Sequence, residues 1–182
     1  MTQIELGLFR EGLFPTSTKQ LECVPVSAAL ASALNATWHS RLPCIHSSNI
    51  LRNRYHICFA TMYDWRYFSV GIWSSPVNQN FNVDTVLELR RLAISPESPK
   101  YTASWMLSKM IKEIKKQLPS ITRLISYQDT EVHKGTIYKA ANWQQTARTR
   151  YQPEGWNKSR KRQASQSQGV KIRWEYQLTK NR

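Results

Sequence analysis

The stretch from Asp84 to Tyr127 leaves this chain few folds to choose from. DTVLELRRLAI (Asp84–Ile94) alternates apolar residues as a strand does, and Thr122–Tyr127 is a second, shorter apolar run. Between them Ala103, Leu107, Met110, Ile111, Ile114 and Leu118 fall 4, 3, 1, 3 and 4 apart, which is one apolar stripe on a helix. Lys109, Lys112, Glu113 and Lys116 occupy its other faces, and Pro119 ends it. Ser98-Pro99 predicts the start of that helix, a serine N-cap followed by proline at the first helical position. A strand, a helix and a strand of these lengths predict a parallel crossover inside a mixed sheet.

The rest of the chain builds around that unit. Val26–Ser40, rich in Ala and Leu, predicts a helix ending near Trp38. Arg54–Met62 and Arg66–Trp73 are β-rich runs separated by a few residues around Asp64, which predicts a hairpin, and Ser74–Asn82 is turn material. Lys134–Ala141 predicts a short helix, and VKIRWEYQL (Val170–Leu178) a closing strand. The fold class is α/β (α+β): a mixed, mostly antiparallel central sheet flanked by helices. One domain accounts for the length, with residues 1–147 as its catalytic part and residues 148–182 as a basic C-terminal segment carrying the closing strand 170–178.

Charge narrows the partner. Twenty-six Lys and Arg oppose twelve Asp and Glu, giving +14. Ten basic and two acidic residues lie between Arg148 and Arg182, so that segment alone carries +8. NKSRKRQASQSQG (Asn157–Gly169) has no aliphatic residue beyond Ala164 and reads as a mobile basic loop or a solubilising surface. Arg148, Arg150, Lys158, Arg160, Lys161 and Arg162 are the expected contacts to a polyanion, nucleic acid first. Trp143, Tyr151, Trp156 and Trp174 bracket these charges and are expected to stack on bases. No apolar run approaches a membrane span, and the N-terminus MTQIELGLFREGLF does not read as a signal peptide. Cys23, Cys44 and Cys58 suit a reducing cytoplasm and read as small buried hydrophobes.

LISYQDTEVHKGTIYKAANW (Leu124–Trp143) concentrates the chemistry. Asp129 just past a buried strand suits a base, or an Asx-type cap on the following turn. Tyr138 on the short helix suits a proton donor, or a buried structural tyrosine. His39 reads as a general base or, with Asp129 and His133, as an iron ligand in a two-histidine, one-carboxylate set. Arg91 reads as a partner of Asp129 or of a substrate carboxylate, or as a surface arginine.

LAISPESPKYTASWMLSKMIKEIKK (Leu92–Lys116) resembles the strand–turn–helix of GNAT acyltransferases, and IYKAANW (Ile137–Trp143) resembles their later tyrosine-bearing helix. The chain departs from that pattern: it has no glycine between Gly71 and Gly135, and Asn142-Trp143 stand where Gly-Phe is usual. A narrower resemblance takes in WHSRLP (Trp38–Pro43), Arg91-Leu92, Ser104 in YTASWML, SYQD (Ser126–Asp129) and HKGTIYKAANW (His133–Trp143). This ordered set resembles phage Mom-type proteins, a divergent GNAT branch. The resemblance implies a transferase that converts adenine in phage DNA to N6-(carbamoylmethyl)adenine and blocks host restriction in the bacterial cytoplasm. It implies Asp129, Tyr138, His39, Ser126 and Tyr127 as catalytic residues. Arg91, Ser104, Lys100 and Asn142 then hold a cofactor, for which acyl-CoA and iron both stay open. Other readings are a basic DNA-binding protein on a decayed acyltransferase scaffold and a plain acetyltransferase of a protein or small amine. The oligomeric state, a homodimer included, stays open.

Overall fold

The computed structural model of the chain describes residues 14–39, 44–149 and 169–178. Most of the basic tail therefore lies outside the described residues, including Arg150, Lys158, Arg160, Lys161 and Arg162, together with Tyr151, Trp156 and Ser40–Pro43.

Seven strands form one sheet: β1 (Glu22–Pro25), β2 (His56–Tyr63), β3 (Arg66–Ser74), β4 (Val86–Ile94), β5 (Arg123–Asp129), β6 (Gln144–Arg148) and β7 (Lys171–Gln177). Their order is β1-β2-β3-β4-β5-β7-β6. Every neighbouring pair is antiparallel except β4 with β5, which the helix stripe requires to be parallel. Among the described residues, four α-helices accompany the sheet: α1 (Ala28–Trp38), α2 (Ser47–Leu51), α3 (Thr102–Gln117) and α4 (Thr136–Ala140). β1, α2 and β6 were not anticipated; each is only four or five residues long.

The stripe on α3 is the core of one face. Met106, Leu107, Met110, Ile111 and Ile114 are buried, while Ser108, Lys109 and Lys112 are exposed. Burying each such side chain contributes about 1.5–3 kcal/mol. They meet Phe59, Trp73, Leu87, Leu89 and Leu124 from the sheet. Gly71 permits the contact, since a Cβ there would lie 2.4 Å from Met110 Sδ. On the opposite face α1 and α2 cover a smaller cluster of Ala31, Ile50, Cys58, Val70, Ile72 and Ala93. Cys58 and Phe59 thus go to opposite sides, as the two-residue period of a strand dictates. Burial pushes the Cys58 and Cys23 thiols up to about 12, which leaves both protonated and unreactive at neutral pH.

The start of α3 corrects the Ser98-Pro99 expectation. Ser98 Oγ donates to Phe68 O at 2.6 Å instead of capping the helix, and Thr102 Oγ1 donates to Pro99 O at 2.7 Å. The helix begins three residues after the proline, behind Tyr101 in the left-handed conformation (φ 69°). A tertiary bond to the hairpin outcompetes the local cap.

Candidate functional site

The functional geometry begins where the parallel ladder stops. β4 and β5 are in register from Val86↔Arg123 to Leu89↔Ser126. Beyond Ser126, β5 stays paired with β7 through Asp129↔Lys171, while β4 stays paired with β3 through Ile94↔Ser69. Each strand follows its outer neighbour, so a mouth opens at their carboxyl ends, where α/β sheets bind ligands.

The α3 side of this mouth is aromatic and closed. Ser126 Oγ and Tyr138 Oη are 2.9 Å apart at the last paired position, and both residues are buried. Tyr138 stacks on Trp174 (5.3 Å, 13°) and meets Trp143 edge-on (5.7 Å). Burial raises the Tyr138 pKa and the Ser126 bond opposes that only in part, so the phenol stays protonated. Gln128 closes the wall: its Oε1 accepts from Trp174 Nε1 at 2.7 Å, and its Nε2 donates to His133 O. Gly135 (φ 72°) is required here, because a Cβ would sit 2.5 Å from Gln128 Oε1 and 2.7 Å from the Trp174 ring. The sequence reading missed Gln128 as a brace. Trp143 and Trp174 are 4% and 3% exposed, which corrects the expectation that they stack on bases.

The other side is charged. Glu88, buried between Leu87 and Leu89 in sequence but facing away from them, accepts from Val77 N at 3.0 Å and pairs with Arg90 Nε at 3.5 Å. Burial raises its pKa, against the pull of the Val77 amide and the neighbouring arginines. Arg91 donates from Nη1 to Arg90 O at 2.7 Å, and burial, followed by the Arg90 charge, brings its pKa down to about 10. His39 terminates α1, its amide donating to Asn35 O at 2.9 Å. Its pKa is lowered, first by burial, then by Arg91 and then by His133, so at neutral pH it is an uncharged imidazole able to accept a proton. These couplings place His39, Arg91 and His133 in one neighbourhood.

Asp129 ends β5, half-buried. Its Oδ1 accepts from Glu131 N at 3.0 Å and its carbonyl from His133 N at 3.0 Å, the Asx turn foreseen as its alternative role. Its charge also raises the pKa of Lys171, against a larger lowering by burial. Tyr127 is half-buried, with burial raising its pKa. Arg173 pairs with Glu175 at 2.8 Å, and Arg173 and Arg123 stand over the Phe81 ring at 5.2 and 5.3 Å. Lys171, Arg173 and Glu175 were legible in the alternation of VKIRWEYQL, which puts them on one face.

The remaining candidates are placed less centrally. Ser104 Oγ donates to Tyr101 O at 3.1 Å inside the first turn of α3, and Lys100 is exposed. Asn142 (φ 60°) takes the left-handed position after α4, where glycine is common. Arg148 is exposed at the end of β6. Among the described residues no three His, Cys, Asp or Glu side chains converge to hold a metal, which corrects the iron set of His39, Asp129 and His133. The physical reason is local: His39 caps α1, whereas Asp129 turns its Oδ1 back onto Glu131 N in the turn that carries His133.

A coenzyme A fits this chain only in part. The edge of β4 beyond Leu89, where its ladder with β5 has ended, suits an extended thioester arm. The loop before α3 does not suit a pyrophosphate: it has no glycine, and Ser95 N and Ser98 N are committed to Phe68 O and Ser95 O. Glu97 receives the Ser95 hydroxyl, and that bond lowers its pKa and keeps it anionic where the phosphates would lie.

No curated protein sequence matches the chain. Solved structures match it in fold. The ribosomal-protein-S18-alanine N-acetyltransferase of Escherichia coli superposes with a TM-score of 0.60 at 10% identity, covering 87% of this chain and 94% of that one. A GNAT family acetyltransferase from Elizabethkingia anophelis, solved with acetyl-CoA bound, gives 0.62 at 10% identity over 87% and 99%. A Bacillus subtilis acetyltransferase in complex with CoA gives 0.58 at 10% identity over 88% and 99%. The sheet is thus GNAT-like. No helix among the described residues is long and apolar enough to cross a membrane. Residues 67–181, which hold the parting strands, Ser126, Asp129 and Tyr138, match the Mom protein family, and the chain belongs to that family.

Proposed function

We propose that this protein is a transferase that adds an acyl-derived carbamoylmethyl group to N6 of adenine in double-stranded phage DNA, and so shields that DNA from host restriction. The observation that carries the reading is the mouth between β4 and β5, with a protonated tyrosine on one wall and an uncharged histidine and a carboxylate on the other. The adenine amine is a weak nucleophile, because its lone pair is delocalised into the ring. His39 takes a proton from N6 as the N6–carbon bond forms, and Asp129 orients the amine. The bond from that carbon to its leaving group breaks, and Tyr138, held by Ser126, gives the departing atom its proton. Tyr127 and Arg91 line the acceptor side. Because the target is stacked inside a duplex, the base must be turned out before it reaches the mouth, at a few kcal/mol, roughly. No step requires a CoA pyrophosphate, and the donor is defined only by its activated carbon. Arg148 and the tail residues Arg150, Lys158, Arg160, Lys161 and Arg162 hold phosphates.

The poor phosphate loop also favours a second reading, a DNA-binding protein on an acyltransferase scaffold that no longer reacts. Mass spectrometry of nucleosides from cells expressing the protein separates the two. A new adenine adduct is expected; only ordinary nucleosides, from cells with abundant folded protein, would leave DNA binding alone.

A further inference from the structure

The β2–β3 hairpin closes with two residues, Asp64 and Trp65, at φ 47° and 61°. Positive φ at both positions is the type I′ geometry that matches strand twist, and its second position ordinarily takes glycine. Here it holds the bulkiest side chain available, in a backbone region that bulky residues avoid. The indole gains no burial in return, for Trp65 is 88% exposed. A second aromatic repeats the anomaly: Tyr101 has φ 69° and is 80% exposed.

Both residues lie at the end of the sheet where the mouth opens. Ser69 on β3 is in register with Ile94, the last residue of β4. Trp65 stands four residues earlier, so the tip projects roughly 13 Å past the level of Ile94 at strand rise. The loop carrying Tyr101 is tied to the hairpin base by Ser95 N and Ser98 Oγ, which both donate to Phe68 O, at 2.8 and 2.6 Å. Phe14 braces Phe68 edge-on at 6.4 Å. The two aromatics are therefore held on a stiffened rim. Arg66 and Lys100, both exposed, flank them with positive charge on a chain of +14.

We propose that Trp65, with Tyr101 on the same rim, is a stacking prong that enters DNA next to the mouth and occupies the space a turned-out adenine leaves. This rests on the reading of duplex adenine as substrate. A two-stranded ribbon is the size of element that the major groove admits, and the N6 amine of adenine faces that groove. Aromatic wedges stabilise opened base steps by stacking. Backbone strain kept at an exposed tip is expected where a site needs the side chain held outward.

The test uses the full chain and a mixed-sequence DNA duplex, with Trp65→Ala, Trp65→Phe and Trp65→Gly. Trp65→Ala is expected to weaken binding about tenfold with an unchanged salt slope, because stacking is lost and phosphate contacts are not. Trp65→Phe should bind nearly as the parent, and Trp65→Gly should melt higher than the parent yet bind as weakly as Trp65→Ala. The acrylamide quenching that distinguishes the parent from Trp65→Phe should fall when duplex is added. Parental affinity in Trp65→Ala, or shielding of Trp65 that tracks protein concentration without DNA, would overturn the prong, the latter assigning the tip to a second copy. The outcomes separate from those of the catalytic reading. Weakened binding in Trp65→Ala, with no adenine adduct formed by the parent protein, keeps the prong and removes the transferase. Adduct formation at the parental rate in Trp65→Ala does the reverse.

Discussion

Ser126 and Tyr127 are neighbours in the chain but face different chemistry, and the same holds for Trp174 and Arg173. One set looks toward α3, where Tyr138, Trp143 and Trp174 pack ring on ring and Gln128 satisfies the indole. The other looks toward Glu88, Arg91 and Lys171, a half-wet surface where the leading charge opposes burial at Glu88 and Lys171 and adds to it at Arg91. The difference teaches that the two walls fail differently. On the proposed function, damage to the closed wall is expected to cost stability, and damage to the charged wall to cost chemistry while the fold survives.

Asp129→Asn should break that division most sharply if it is wrong. Asn keeps the oxygen that accepts from Glu131 N, so the turn and the melting temperature should hold. Adenine modification should be lost, by roughly a hundredfold or more, if the carboxylate orients the attacking amine. An active mutant would reduce Asp129 to its turn. On the closed wall, Trp174→Ala removes a fully packed ring and its bond to Gln128, and should cost about 3–5 kcal/mol in denaturant unfolding. A loss under 1 kcal/mol, roughly, would mean the wall is not part of the core.

Tyr138 straddles the comparison, because it is packed like the closed wall while its phenol bonds Ser126, where the β4–β5 ladder ends. Tyr138→Phe should leave packing intact and cost about 1 kcal/mol of stability from the Ser126 bond. Its modification rate should fall on the order of 100-fold if the phenol is the proton donor. Full retained rate would leave it on the structural side.

How much of this was legible differs between the walls for a physical reason. Period and composition carried the paired half of β4 and β5 and the α3 stripe, because burial of a periodic face is a local property of the sequence. Gln128 and Gly135 were not legible in role, since their meaning lies in a contact with Trp174 across 46 and 39 positions. The Ser98-Pro99 start failed because Phe68 O, a distant acceptor, took the serine. His39, Arg91 and His133 come together from α1, β4 and the turn after β5, which no spacing rule reports. The family resemblance brought them forward as candidates, and only the fold brings the Arg91 charge to bear on the histidine.

That charge gives the smallest effect and the finest test of the open wall. His39 has its pKa lowered from 6.5, first by burial, with Arg91 the leading charge. A base works when deprotonated, so the acid limb of the modification rate should lie below pH 6.5 in the parent protein. Arg91→Gln removes the charge and leaves the burial. Protonation of His39 becomes easier, its pKa rises toward the ordinary value, and the acid limb should move to higher pH. The rate well above the limb should change much less than the limb position, provided Arg91 acts on His39 and not on substrate. A limb that stays in place while the plateau falls would assign Arg91 to substrate binding and move the base elsewhere on this wall. The stability profile carries the same sign. Because His39 is less easily protonated when folded, the protein should lose stability as pH drops through 6.5, and Arg91→Gln should soften that loss. Urea midpoints at pH 5.5 and 7.5 for the two proteins measure it.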